Sequence, residues 1–322
     1  MAIITNEFTH YDAVGAREIL DNIITDISPE KTPFSSLIGQ RSVDGVYFET
    51  QTDALAAAST TNAQLEGDNV TSYSAITPTT RHGNYCQISR KTFVITRTQD
   101  AELKAGRGSE VARQKVRKGA ELKRDIEATL LDNIAQVSGG TGTARKTGTM
   151  GSWIASNTDK GTGGGDPTGD GTDARTDSTS TNQRAFTETI LKSVMQSCWT
   201  AGAEPSYLMV GPHNKTVVSG FGGIGALTVN VGDRAPAAAI LATADVYQSD
   251  FGKLNVVANR LQRDRDAWFI DPRYAKKAVF EPFMAREMPE SVDGFAYMVL
   301  TEWGLSMANE AAFGLAADLT TS

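Results

Sequence analysis

The segment SEVARQKVRKGAELKRDIEATLLDNIAQV, from Ser109 to Val137, decides the fold because its helical pattern is the most regular in the chain. Apolar side chains recur along one helix face of this segment: Ala112, Val116, Leu122, Ile126, Leu130 and Ile134. At about 1.5 Å per residue, a helix of this length would measure about 40 Å, longer than most globular helices. The pattern therefore predicts one long helix that spans a domain.

The first half of this segment is basic, which indicates either an electrostatic strip for nucleic acid or an ordinary solvated face. The cations are Arg113, Lys115, Arg117, Lys118, Lys123 and Arg124. Glu121, Asp125 and Glu127 partly balance them, which favours the solvated face. The whole chain has 31 Lys+Arg against 38 Asp+Glu and a net charge of -7, which argues against bulk attraction to nucleic acid or to anionic membranes.

Upstream of the helix the composition turns towards β-structure. GVYFETQT (Gly45 to Thr52) and NYCQISRKTFVITRT (Asn84 to Thr98) are rich in strand-forming residues and flank a stretch of small side chains. This pattern predicts a long two-stranded hairpin with an extended tip. A lone hairpin is marginal in water, so we expect contacts outside the hairpin to stabilise it. The tip residues predicted to lie on a neighbouring subunit are Ala54, Leu55, Ala56, Ala57, Ala58 and Ser59.

The first forty residues contain short apolar islands that cannot form a core alone, and Pro29 and Pro33 interrupt any continuous helix. We interpret the first forty residues as an N-terminal arm. Because such an arm needs another surface to pack on, we predict that Pro29, Phe34 and Leu37 anchor it on an adjacent subunit.

GTGTARKTG, residues 140–148, nearly matches a phosphate-binding loop, but Arg145 occupies a position that requires glycine. It follows a predicted helix instead of a strand and leads into a stretch with hardly an apolar side chain. We therefore reject a phosphate site and predict a flexible surface loop over residues 138–182, the Gly-rich tract.

The rest of the chain alternates helix and strand. Thr187 is a candidate N-cap for a helix that Gly202 and Pro205 end. Several apolar strands follow, so the sequence predicts a mixed α/β or α+β fold.

No catalytic, cofactor-binding or metal-binding residues are predicted. His10, His82 and His213 lie in separate regions, and Cys86 and Cys198 have no metal-site or redox spacing, so both should be packed thiols. No signal peptide or membrane-length apolar run is present, so we expect the chain to stay in the compartment where it is made.

Six stretches, which span nearly the whole chain, together resemble the major capsid proteins of tailed bacteriophages, and the resemblance implies an α+β fold of the Hong Kong 97 type. They are ISPEKTPFSSLIG (Ile27 to Gly39), RHGNYCQISRKTFVITRTQDAELKAGRGSE (Arg81 to Glu110), KGAELKRDIEATLL (Lys118 to Leu131), PSYLMVGPHNK (Pro205 to Lys215), DFGKLNVVANR (Asp250 to Arg260) and LSMANEAAFG (Leu305 to Gly314).

The resemblance implies a division of the chain into five parts. These are an N-terminal arm (1–40), an E-loop hairpin (41–98), a P domain with the spine helix and the Gly-rich tract (99–183), an A domain (184–277) and the return strands of the P domain (278–322).

The resemblance also implies a function: self-assembly as hexamers and pentamers into an icosahedral phage head around double-stranded DNA, which is enclosed without sequence-specific binding. Expected partners are a separate scaffolding protein, a portal and decoration proteins. The expected location is the virion, after assembly in the bacterial cytoplasm.

Three alternatives stay open. A tail or tube subunit would assemble helically or in stacked rings, although such tubes are mostly β. A nucleotide-binding enzyme would use the loop at Gly140 and lose binding with Lys146→Ala. A DNA-binding protein would show steeply salt-dependent affinity.

Overall fold

A computed structural model describes residues 31–67, 69–70, 73, 75–102, 109–221, 246–289 and 293–321. The helices within these ranges are α1 (Pro33–Leu37), α2 (Arg97–Ala101), α3 (Glu110–Leu130), α4 (Met150–Trp153), α5 (Glu188–Thr200) and α6 (Pro212–Ser219). The strands are β1 (Gln40–Ser42), β2 (Tyr47–Thr52), β3 (Thr80–Tyr85), β4 (Gln87–Thr96), β5 (Thr158–Asp159), β6 (Tyr207–Val210), β7 (Val246–Ser249), β8 (Gly252–Ala258), β9 (Ala267–Ile270), β10 (Ala275–Glu287), β11 (Gly294–Met307) and β12 (Gly314–Ala316).

The first layer pair is helix α3 on a four-stranded sheet with the order β1-β10-β11-β4. β11 pairs antiparallel with both β10 and β4. On the helix, Leu122, Ile126 and Leu130 are almost completely buried, as the apolar stripe predicts, whereas Ala112 and Val116 of the predicted stripe are exposed because the sheet does not cover the first turns of the helix. The long helix therefore packs on strands contributed from both ends of the chain.

The long helix is shorter than predicted at its C-terminus. It begins as expected, with the Ser109 side chain accepting a hydrogen bond from the Ala112 N–H, but it ends at Leu130 instead of Val137. The Ile134 N–H donates to the Thr149 hydroxyl at 2.8 Å, so beyond the helix the backbone bonds to another segment. Ile134 is therefore outside the helix, and its place in the stripe was coincidental.

The second layer pair is helix α5 on a six-stranded sheet with the order β5-β12-β9-β6-β8-β7. Trp268 and Phe269, which are successive residues of β9 and so point to opposite faces of this sheet, are fully buried, as is Phe313. The sequence signals for α5 are confirmed, since Thr187 caps it and Gly202 follows it with a positive φ of 86°.

The predicted hairpin is only partly right. β2 pairs antiparallel with β3, from Tyr47 opposite Tyr85 to Thr52 opposite Thr80. Most of the second predicted strand is β4, which instead lies along β11. The reason is that local composition predicts a strand but carries no information about its distant partner.

The Gly-rich tract is not the surface loop that we predicted. It contains α4 and β5, and Trp153, Ile154 and Arg175 are buried within it. Polar groups hold the tract in place; for example, the Asn133 amide donates to the Arg175 carbonyl at 2.8 Å and accepts from its N–H at 3.0 Å. A segment with few apolar side chains can be buried when its polar groups are paired in this way.

Helix α1 is clamped on α3 by a single buried carboxylate. Glu127 Oε1 accepts the Phe34 N–H at 2.7 Å and Oε2 accepts the Ser35 N–H at 2.8 Å. The amide of Asn259 donates to the same Oε1 at 2.8 Å. The Phe34 side chain is completely buried within its own chain, which leaves it no surface for an adjacent subunit and corrects that prediction.

Candidate assembly surface

Many exposed apolar and small side chains lie between β2 and β3, and we call the described residues among 53–79 the tip segment. Leu55 is 99% exposed, Tyr73 90% and Ile76 94%. Leu65 and Val70 are also largely exposed. A folded subunit rarely exposes so many large apolar residues together unless they meet a partner. The tip segment is therefore the strongest candidate for an assembly surface.

The base of the ribbon β2–β3 is held firmly on the rest of the chain. Phe48 packs in a small buried cluster with Val43, Cys86 and Ala278. The Thr50 hydroxyl donates to the Met307 carbonyl at 3.1 Å. The ribbon therefore presents the tip segment from a fixed base.

The structure places the predicted contact residues in different environments. Those from Ala54 to Ser59 are all exposed in the tip segment. Leu37 is partly buried against the core, and Pro29 lies outside the described residues. Sequence reasoning missed Leu65, Tyr73 and Ile76, because single apolar residues scattered in a polar stretch have no periodicity.

The near-match at Gly140 is not a phosphate site. Gly140 and Thr143 exchange backbone hydrogen bonds in a tight turn, and Val137 and Lys146 pair across it. The Thr147 hydroxyl is buried and accepts the Leu305 N–H at 3.0 Å. A phosphate-binding loop leads into the N-terminus of a helix, but the helix that follows this turn, α4, has only four residues.

Both cysteines are free and buried, as predicted. Burial raises the pKa of Cys86 to about 11 and that of Cys198 to about 12. Among the described residues, no group of three or more His, Cys, Asp or Glu side chains is arranged to hold a metal ion. In the same ranges no helix combines the length and the apolar character needed to cross a membrane.

The basic face of α3 is partly exposed and partly paired with neighbouring carboxylates. Lys118 Nζ lies 2.7 Å from a Glu121 carboxylate oxygen, and Lys91 Nζ of β4 lies 2.6 Å from Asp125. Glu127 is the exception, because it is the buried clamp of α1 and not a surface charge.

A buried ionic cluster ties the Gly-rich tract to the second sheet. Arg175 lies 3.7 Å from both Asp266 and Asp318, and these three side chains are at most 1% exposed. Arg265 adds a 2.7 Å contact to Asp318. Burial raises the pKa of Asp266 to about 6, although Arg263 and Arg175 oppose the shift. The sequence NRLQRDRDAW, which contains Arg263, Arg265 and Asp266, suggested exposed ion pairs, but Asp266 is fully buried. The reason is that Arg175 and Asp318 come from distant parts of the chain, so local sequence does not reveal the cluster.

The raised pKa of Asp266 predicts that the unfolding free energy depends on pH. In the unfolded chain the pKa of Asp266 has its ordinary value of 3.8. The stability that its protonated form contributes to the folded chain is therefore fully present below about pH 4 and is lost as the pH rises through about 6. We expect the unfolding free energy of the native chain, relative to Asp266→Asn, to fall by about 3 kcal/mol across this window. Urea unfolding of the native chain and of Asp266→Asn at several pH values measures this difference. The control is Asp44→Asn, which removes an exposed carboxylate. A pH-independent difference between native chain and Asp266→Asn would refute the assignment.

Comparison with known proteins identifies the family. Residues 3–320 match the family described as SU10 major capsid protein. The major capsid protein of Escherichia phage Phieco32 is 37% identical over 129 residues, which are 40% of this chain and only 36% of that relative's length. The capsid of a native GTA particle is similar in fold, with a TM-score of 0.60 at 12% identity over 97% of both chains.

A chain of the Phage G structure of gp27 major capsid proteins and gp26 decoration proteins has a TM-score of 0.56 at 8% identity, covering 99% of this chain and 100% of that one. These likenesses confirm the predicted α+β fold of the Hong Kong 97 type. The chain belongs to the SU10 major capsid protein family.

Proposed function

We propose that this subunit assembles as hexamers and pentamers, with the tip segment of each copy lying on its neighbour. The observation that supports this most directly is the exposure of large apolar side chains on a ribbon whose base is fixed. Burial of a Leu or Ile side chain contributes roughly 1.5–3 kcal/mol, so a few such contacts per subunit add up over a shell. Leu37, which is only partly buried, and Pro29 are proposed as further contacts with an adjacent subunit.

We further propose that the shell encloses double-stranded DNA without sequence-specific binding. The net charge of -7 supports a wall that does not adhere strongly to its contents. A separate scaffolding protein and a portal are proposed partners, with assembly in the bacterial cytoplasm. Decoration proteins are also proposed, supported by their presence beside the major capsid protein in the Phage G structure.

The division into parts is proposed with the boundaries inferred above: arm 1–40, E-loop hairpin 41–98, P domain 99–183, A domain 184–277 and return strands 278–322. The P domain would centre on α3 and its four-stranded sheet, and the A domain on β6 to β9 and α5. Two short strands, β5 and β12, belong to the six-stranded sheet although they come from the flanking parts.

We propose a purely structural function, without catalysis. The support is the family and the Gly140 turn, whose backbone groups pair with each other and do not form an anion-binding loop.

Hydrogen exchange tests the proposed contact of the tip segment. In free subunits the amides from Ala54 to Ser59 should exchange fast, because their side chains and neighbours are exposed. In assembled shells we expect exchange of these amides to slow by about tenfold or more, as on burial in a stable interface. Amides in the buried core of α5 serve as the reference. Equal protection of the tip segment in free and assembled subunits would contradict the proposal.

A further inference from the structure

Three lysines that have no ion-pair partner among the described residues meet at an open groove between α3 and the strands β10 and β11. Lys115 and Lys123 line the groove from α3, and Phe283 lines it from β10. The Lys277 ammonium lies 5.9 Å from the centre of the Phe283 ring, so it reaches the same groove. We call Lys115, Lys123 and Lys277 the lysine cluster. The groove has a volume of about 560 Å³, enough for a small ligand or for part of a larger one.

Lys277 is the unusual member of the lysine cluster because it is buried. The residue is only 7% exposed, yet its ammonium has neither a hydrogen-bond acceptor nor an ion pair among the described residues. Its cation–π contact with Phe283 is long and does not replace an anion. A buried cation is costly unless an anion or several acceptors compensate it. The Lys277 side chain therefore indicates an anionic partner from outside the described residues.

The charged side chains that act on Lys277 do not supply this partner. Burial lowers the pKa of Lys277 and the Lys123 charge lowers it further, whereas Glu127 acts in the opposite direction. Both oxygens of Glu127 already accept N–H groups, from α1 and from Asn259. The three positive charges of the lysine cluster against the one negative charge of Glu127 leave an excess of two positive charges at the groove.

The two lysines of α3 leave open space between them for a ligand. Lys115, Gly119 and Lys123 follow at intervals of four residues, so they share one face of the helix. The two lysines are separated by about 12 Å along the helix axis, at about 1.5 Å per residue. The Lys115 Nζ lies 3.7 Å from the centre of the Tyr297 ring, a cation–π contact that holds it at the groove. A Cβ atom at Gly119 would have no neighbour within 4 Å, so the helix surface between the lysines is accessible.

Phosphate is the anion that fits this excess charge. Free phosphate carries about two negative charges at neutral pH, and two phosphodiesters of a DNA strand carry about the same. One carboxylate would leave the second positive charge uncompensated. Lysine ammonium groups bind phosphate as point charges. The apolar side chains of Val116, Phe283 and Val299 line the groove and lower the local dielectric constant, which strengthens the attraction.

We propose that the lysine cluster is a phosphate-binding site, which the backbone of the enclosed DNA occupies in the shell. The assignment to DNA rests on the proposed function, whereas the site itself belongs to the free subunit. Contacts to phosphates alone carry no base information, so they agree with enclosure of DNA without sequence-specific binding. One or two such contacts per subunit are weak, which is compatible with a wall whose net charge is -7.

Lysine footprinting of the purified full-length subunit with inorganic phosphate tests the site. At saturating phosphate we expect acetylation of Lys115 and Lys123 to slow by about tenfold, compared with chloride at the same ionic strength, because a bound anion occupies their ammonium groups. Lys253 of β8 is exposed and serves as the internal control, whose rate should not change. Equal labelling of Lys115 and Lys123 in phosphate and in chloride would overturn the proposal.

Lys277→Met distinguishes a phosphate ligand from a merely structural lysine. Methionine keeps an unbranched apolar chain and removes the uncompensated buried charge, so the urea midpoint in chloride should be equal to that of the native chain or higher. Phosphate should no longer slow the acetylation of Lys123 in this variant. A clearly lower midpoint in chloride, or unchanged protection of Lys123 by phosphate, would contradict the assignment of Lys277.

Fluorescence anisotropy with a labelled DNA duplex at low salt tests DNA as the source of the phosphate. Lys115→Gln with Lys123→Gln should weaken binding by about tenfold and reduce the slope of log K against log salt by about 2, at about 0.9 for each lost phosphate contact. The control pair, Lys253→Gln with Lys276→Gln, removes two exposed lysines outside the groove and should change neither the affinity nor the slope by as much. Two duplexes of unrelated sequence should bind equally.

The outcomes separate the site from its source and from the proposed function. Phosphate protection of Lys123 without any loss of DNA affinity in Lys115→Gln with Lys123→Gln would overturn the assignment to DNA and leave a site for free phosphate. Shells that enclose no DNA would refute the proposed function instead, without changing the footprint of the free subunit.

Discussion

Leu55→Asp combined with Ile76→Asp is expected to abolish shell assembly while leaving the subunit folded. Both side chains are more than 90% exposed in the single chain, so the fold does not depend on them. In the proposed shell each is buried against a neighbour, and losing two such burials costs roughly 3–6 kcal/mol per contact before any penalty for burying the new charges. Because every subunit makes the contact, the loss repeats throughout the shell.

The assay is sedimentation of assembly products together with thermal unfolding of the subunit. The matched control is Thr60→Asp with Gln64→Asp, which adds the same charge to the tip segment at exposed polar positions and removes no apolar surface. We expect this control to assemble. Normal shell yield from the Leu55 and Ile76 double variant would remove the tip segment as an assembly surface.

Glu127→Ala is expected to cause the largest loss of subunit stability. Its carboxylate accepts hydrogen bonds from the Phe34 N–H, the Ser35 N–H and the Asn259 amide. Removing it leaves these donors without their acceptor, at about 1–3 kcal/mol each where they are buried. We expect a total loss of about 3–6 kcal/mol and the release of α1 from α3.

Urea unfolding of the purified subunit measures this effect. Glu121→Ala on the same helix is the control, because its ion pair with Lys118 is partly exposed and contributes about 0–1 kcal/mol. Equal midpoints for the two variants would show that the clamp is not important for stability.

Features that depend on local sequence could be predicted well. The N-cap Thr187 marks the start of α5, and the stripe of Leu122, Ile126 and Leu130 marks α3, because capping and periodicity involve residues only a few positions apart.

Features that depend on distant partners were missed. β4 pairs with β11 about two hundred positions later, and Glu127 looked like a surface charge although it accepts hydrogen bonds from Phe34 and Ser35. The Gly-rich tract looked like a loop by composition, yet the Asp318 carboxylate accepts N–H groups from within it. Strand partners and buried polar pairs are set by tertiary structure, which local composition does not encode.

The sequence predicted where the candidate assembly surface lies along the chain, but it did not identify all of the residues of that surface. Ala54 to Ser59 are exposed as an extended tip requires, while Tyr73 and Ile76 of the same segment carry more apolar area and were not singled out. Exposure of an isolated apolar side chain is visible only when the backbone around it is known.

Electron microscopy of the chain, expressed alone and together with its neighbouring genes, tests the central claim most directly when combined with mass determination in solution. The account predicts closed, roughly isometric shells, or rings the size of hexamers and pentamers. A persistent monomer or dimer in both preparations would contradict it.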